Sequence, residues 1–174
     1  MHSKISNVRR SSSSIADYCR SGLVKAECPV TNDDQFHLKV GGGSHLDGQY
    51  VRPMETDMDD QLVFIDANFD CPWSLGQGTL DYHMNGGAIW GADLRKVNDN
   101  DQVQRAMLIK NGGQQKYYYF DGEQLVVNST NNWWACYTGA SPPGTDLPVL
   151  YAYENGHDGT EGCFKVELNR EWAR

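Results

Sequence analysis

The chain has 174 residues, 39% of them hydrophobic, and carries 23 Asp and Glu against 15 Lys and Arg for a net charge of −8. An acidic surface repels polyanions, which argues against nucleic acid and anionic membrane as partners, and no apolar run approaches the roughly 18 residues of a membrane-spanning helix. The length is one domain's worth, enough to bury roughly 70% of the unfolded chain's surface in a single core.

Residues 1–26 differ in character from the rest, with Arg9-Arg10, the run Ser11-Ser12-Ser13-Ser14 and Cys19, and are expected to be disordered. An exported protein begins with a basic cluster, an apolar segment of about 7 to 15 residues and a small-residue cleavage site. Here the apolar residues before Cys19 are scattered, as in Ile15-Ala16. Either the first residue is not the native start, or the cysteines stay reduced in the cytosol. The remaining cysteines, Cys28, Cys71, Cys136 and Cys163, favour the first reading, because cysteines flanking a glycine-rich β body belong to oxidising compartments.

Residues 27–172 read as a single domain of strands and tight turns. Phe36-His37-Leu38-Lys39-Val40 alternates, Gln49-Tyr50-Val51-Arg52-Pro53-Met54 does likewise, and Gln61-Leu62-Val63-Phe64-Ile65 is a compact apolar run. Further strands are expected at 79–84, 88–92, 116–120, 124–128, 132–137, 149–153 and 163–168. The segment 99–112 is ambiguous. Asp99 or Asp101 caps a helical turn carrying Val103, Ala106, Met107 and Lys110, yet the same residues also read as a strand. Six Asn-Gly or Asp-Gly dipeptides punctuate the chain, at 47–48, 85–86, 111–112, 121–122, 155–156 and 158–159, and such pairs tolerate the positive φ of two-residue hairpins. The expected fold is therefore all-β: one antiparallel domain of about 10 to 12 short strands, a sandwich or a closed barrel, the trefoil type included.

Cys28 and Cys71 flank the first block of strands, and Cys136 and Cys163 the last. Local pairing in that order closes two loops and stabilises by roughly 3.5 to 4 kcal/mol each in the loop-entropy relation. Four cysteines allow three connectivities, and Cys19 competes for a partner.

Candidate chemistry is sparse. Asn128-Ser129-Thr130 is a glycosylation sequon at a strand end. Trp133 and Trp134 invite sugar stacking, but adjacent strand residues point to opposite sides, so one is core and the other exposed or half-covered. Tyr117-Tyr118-Tyr119-Phe120 follows the same rule. Asp57, Asp59 and Asp60, and separately 98–101, are rich in oxygen ligands but lack the glycine and distal glutamate of a calcium loop. The glycine-rich stretch 155–162 reads as a surface loop. No metal site and no cofactor are expected. Asp81 and His83 share one face of a strand and need a serine from elsewhere to make a hydrolytic group; polar decoration is the simpler reading. Paired carboxylates for glycoside hydrolysis depend on spatial separation.

The order Cys28-Pro29-Val30-Thr31-Asn32, a strand at Phe36, Cys71-Pro72, Gly76-Gln77-Gly78, Asp121-Gly122 with Leu125, Ala135-Cys136, Leu150-Tyr151-Ala152 and Cys163 with Val166 resembles the fungal PhiA-type cell wall proteins. The resemblance implies a secreted, often glycosylated protein of the fungal wall, associated with asexual spore formation and without catalytic residues. The leading expectation is thus a non-enzymatic extracellular wall or surface protein whose partners are wall polysaccharide or other wall proteins. A carbohydrate-binding module using Trp133 or Trp134 is the alternative, and a secreted glycoside hydrolase the second.

Overall fold

The structure, a computed structural model, describes residues 34–53, 60–68, 71–84, 87–97, 102–110, 117–139, 145–154 and 156–173. Twelve strands run through them: β1 (Gln35–Gly41), β2 (Tyr50–Pro53), β3 (Asp60–Asp66), β4 (Trp73–Gly76), β5 (Thr79–His83), β6 (Ile89–Lys96), β7 (Val103–Lys110), β8 (Tyr118–Asp121), β9 (Gln124–Val127), β10 (Trp133–Cys136), β11 (Val149–Tyr153) and β12 (Cys163–Trp172). All pairings are antiparallel. Neighbours followed from β1 through β4, β5, β6, β7, β3, β11, β10 and β12 return to β1, a closed ring of nine strands. The fold is a barrel, and the sandwich alternative is set aside.

The pairings have a threefold pattern. Gln35, Thr79 and Gln124 each open a four-strand unit. The first and last strands of the units join end to end: β1 to β4, β4 to β5, β8 to β9, β9 to β12 and β12 to β1. β8 meets the turn that leads into β5, where Tyr118 N donates to Gly78 O at 3.1 Å. The middle strands form three hairpins, β2–β3, β6–β7 and β10–β11, and β3, β7 and β11 pair with one another in a triangle. The nine-strand ring passes through the hairpin strands; the unit-end strands β1, β4, β5, β8, β9 and β12 also follow one another as a six-strand wall, and such a wall closed by three hairpins is the arrangement of a β-trefoil.

Every strand sends a buried residue to a common central space: Leu38, Leu80 and Leu125 from the first strands, Val51, Ala92 and Trp133 from the second, Val63, Ala106 and Leu150 from the third, and Trp73, Tyr118 and Leu168 from the fourth, with half-buried Met107 of β7 also bordering it. All twelve are buried in one cluster. Only about 20 Å³ of void remains among them, room for at most one water and too apolar to hold it. A satellite cluster of Phe64, Cys136, Val149, Tyr151 and Tyr153 packs on the outer side of the hairpin strands. That second layer explains why β11 is buried on both faces and why β3 reads as a continuous apolar run.

The ambiguous segment is the strand β7, which pairs with β6 over seven consecutive positions; long-range pairing overrides the helical spacing. β4 was not expected. It makes a hairpin with β5 through Gln77-Gly78, whose φ values of 52° and 80° are both positive, as a type I′ turn requires. Asn128-Ser129 repeats that geometry at 49° and 64° between β9 and β10. Of the six glycine dipeptides, Asp121-Gly122 contributes to a two-residue hairpin, with Gly122 at 62°. Asp47-Gly48 and Asp158-Gly159 lie in longer loops, and 85–86, 111–112 and Asn155 fall outside the described residues.

Candidate functional site

Cys136 and Cys163 face each other across the β10–β12 pair and are joined by a disulfide, a bond compatible with an extracellular protein. Cys71 is also disulfide-bonded. Cys28 and Cys19 lie outside the described residues, as does the segment 1–26. Asn128 is exposed at the tip of its turn, on the rim of a cavity of about 250 Å³ that Thr130, Gln104 and Glu154 also line.

The two adjacent tryptophans part as alternation demands. Trp133 is 2% exposed, and its indole N–H donates to Leu125 O at 3.0 Å, so it has no face for a ligand. Trp134 is half-buried. Its Nε1 donates to Asn132 Oδ1 at 3.0 Å, its ring lies 5.7 Å from that of Tyr153, and Gly159 packs directly against the indole. Asn132 Nδ2 in turn donates to His157 O at 2.7 Å and Glu154 O at 3.2 Å. The glycine-rich loop is thus a cover strapped over Trp134.

Ser74 lies opposite Asp81 in the β4–β5 pair, and its Oγ is 2.7 Å from His83 Nε2. The fold therefore supplies the serine that Asp81 and His83 lacked in the sequence. Burial lowers the His83 value and raises that of Asp81, favouring the neutral form of each. No hydrogen bond joins the two among the described residues, so the imidazole is not oriented by a carboxylate as the base of a serine hydrolase is. Among the described residues there is also no cluster of three His, Cys, Asp or Glu able to hold a metal. Asp57, Asp59 and 98–101 lie outside those residues, and Asp60 pairs with Arg95 at 2.7 Å.

The site that sequence reasoning missed lies at the end of β12. The strand continues past Leu168 because Asn169, Arg170, Glu171 and Trp172 pair with Lys39, Leu38, His37 and Phe36 of β1. Alternation then sorts their side chains. On one side Phe36 forms a buried floor, with Phe120 and Trp172 standing edge-on to it at 5.1 and 6.3 Å. The Arg170 guanidinium lies 4.6 Å from the Phe120 ring and 4.3 Å from that of Trp172, two cation–π contacts. It also donates to Glu123 through Nε at 3.0 Å and Nη2 at 3.4 Å, and its backbone N–H donates to Glu123 O at 2.8 Å.

On the other side Glu171 accepts from Lys39 Nζ and from Tyr50 OH, each at 2.8 Å. These two bonds, that of Lys39 first, hold the Glu171 carboxyl below the ordinary carboxylate range. Glu123, Arg170, Glu171 and Trp172 border an open cleft of about 510 Å³. Trp172 is 46% exposed. The cleft combines a partly exposed indole, with the guanidinium stacked on one side of its ring, and two carboxylates held in ion pairs; aromatic area beside such hydrogen-bonding groups can hold a pyranose by its apolar face and its hydroxyls. Period-2 continuation through Val166, Leu168, Arg170 and Trp172 was the available signal.

No curated protein and no solved structure gave a significant match to the chain. A family described as a domain of unknown function (DUF7907) matches residues 33–172, first strand to last, and the chain belongs to that family.

Proposed function

We propose that the chain is an exported, non-enzymatic protein of the wall or cell surface that holds wall polysaccharide through the Trp172 cleft. The observation that carries this reading is the exposed indole of Trp172, fixed beside Arg170 and Glu123 on the rigid end of a closed barrel. The exposed 46% of Trp172 is aromatic area that a sugar ring can cover, and rigid presentation lowers the entropy lost on binding. The disulfide-clamped fold suits an oxidising exterior, and the resemblance to fungal PhiA-type wall proteins points to the same compartment. Asn128 is then an occupied glycosylation site, at a turn where an attached glycan points into solvent.

Tryptophan fluorescence titrated with chitin, β-glucan and mannan hexamers tests the reading. One of the three should bind saturably, and Trp172→Ala should weaken it by about ten- to a hundredfold, the loss of one stacked aromatic ring. Trp134→Phe should leave it unchanged. Full affinity in Trp172→Ala, or no saturable binding of any hexamer, refutes it.

A further inference from the structure

We infer a second pyranose-binding surface, formed by His45, Tyr137 and Phe164 at the opposite end of β12 from Trp172, which makes the chain a bridge between two polysaccharide strands, a step that rests on the polysaccharide reading of the Trp172 cleft. Three rings meet there. The imidazole of His45 and the phenol of Tyr137 are parallel to within 15°, with Nε2 and the hydroxyl 3.3 Å apart. Phe164 stands perpendicular to both, at 4.5 Å from His45 and 6.1 Å from Tyr137. His45 is exposed and Phe164 is 38% exposed, so the rings present apolar area to solvent with two polar groups at its edge.

The surface is held in advance of any ligand. His45 stands on a loop that the Asp47 carboxylate fastens by accepting from Gly43 N and Ser44 N at 3.0 Å, and Leu46, 1% exposed, anchors the loop in the core. Tyr137 and Phe164 each follow a cysteine of the Cys136–Cys163 disulfide, and Tyr137 N donates to Gly162 O at 3.1 Å. Such rigidity is useful for stacking, because little freedom remains to be lost on binding.

The bridge follows from strand geometry. Phe164 and Trp172 are eight positions apart on β12, on the side where Val166 and Leu168 are buried but themselves exposed, about 26 Å from one another at roughly 3.3 Å per residue. Between them Val166 and Leu168 are buried in the core, so the two aromatic surfaces open at opposite ends of the barrel and cannot engage one sugar ring together.

Calorimetry of the full, oxidised chain with chitohexaose, laminarihexaose and mannohexaose, followed by light scattering with the soluble polymer of whichever hexamer binds, tests this. Two hexamers per chain are expected. Phe164→Leu, which keeps apolar bulk but removes the flat ring, and His45→Ala should each weaken one site by about tenfold or more, leave the Trp172 site intact, and abolish polymer cross-linking. One site per chain, insensitive to both substitutions and lost in Trp172→Ala, overturns the second surface alone. No binding of any hexamer overturns it together with the proposed function.

Discussion

Replacing Gly159 by alanine probes the strap over Trp134 directly. A Cβ at this position would fall against Trp134 Cε3, within 2.7 Å of Cδ2 and within 2.8 Å of the Cys163 Cβ, where carbon atoms normally sit about 3.5 to 4.0 Å apart. Neither neighbour can yield easily. The indole is pinned by Asn132 and Tyr153, and Cys163 by its disulfide. Gly159 has no positive φ, so the penalty is steric alone.

Overpacking of this kind costs about 1 to 3 kcal/mol, and lifting the strap to relieve it breaks the two Asn132 side-chain bonds to the loop, about 1 kcal/mol each. The expected loss is about 2 to 4 kcal/mol, or roughly 7 to 14 °C in Tm for a domain of this size. Thermal unfolding followed by circular dichroism, with tryptophan emission recorded before melting, reads both consequences: a lower Tm and a red-shifted spectrum as Trp134 is uncovered. Gly76→Ala is the control, because its Cβ meets nothing within 4 Å and its φ is not positive; it should be neutral within about 0.5 kcal/mol. If Gly159→Ala melts like the parent with unchanged emission, the loop does not lie on Trp134.

The double variant Cys136→Ala, Cys163→Ala opens a link of sequence separation 27, for which the loop-entropy relation gives about 3.5 kcal/mol; urea unfolding should show that loss, and a midpoint shift worth under about 1 kcal/mol would contradict it. Asp66 should govern acid stability. Burial pushes its carboxyl up, but the bonds from Arg52, with Nε at 2.9 Å, and from the Asn68 backbone outweigh burial and hold the group below its ordinary value. Its contribution is therefore present above the unfolded value of about 3.9 and is lost as pH falls through the lower folded value. The urea midpoint of Asp66→Asn should lie below the parent's at neutral pH and converge with it in acid; a gap constant with pH excludes the ion pair as its source. Gln77→Asn should stabilise by about 0.5 to 1 kcal/mol, since asparagine tolerates the 52° φ that Gln77 is forced to adopt, and an unchanged or lower Tm would argue against the I′ turn.

Local signals carried the strands whose alternation survives burial on one face, such as β1 with Phe36, Leu38 and Val40 inward. They failed where distant pairing decides. In β7 the buried residues are Ala106 and Leu108, two apart, while Val103 and Met107 are only half-buried; the helical spacing was genuine in the sequence and lost to seven positions of pairing with β6. The threefold repeat was hidden for a packing reason. Trp73, Tyr118 and Leu168 occupy equivalent axial positions, and bulky residues in one unit are offset by Ala92 and Ala106 in another, so that total volume is kept while similarity is erased. Gln77 concealed the β4–β5 turn because glutamine is not a residue that positive φ selects.

β12 explains why the candidate site escaped the same reading. Its register is fixed three times, by β1 through six positions, by β9 at Asn169 and by β10 at the disulfide position. A slip of one residue would turn Val166 and Leu168 outward and part Cys163 from Cys136. Fold closure therefore determines which way Phe164, Arg170 and Trp172 point, although none of the three is needed to fill the axis. On a strand so constrained, a stacked guanidinium and an open indole placed past the last core residue are free to be selected for a ligand, and this is why the end of the longest strand, rather than the adjacent tryptophans of β10, carries the binding chemistry proposed for the chain.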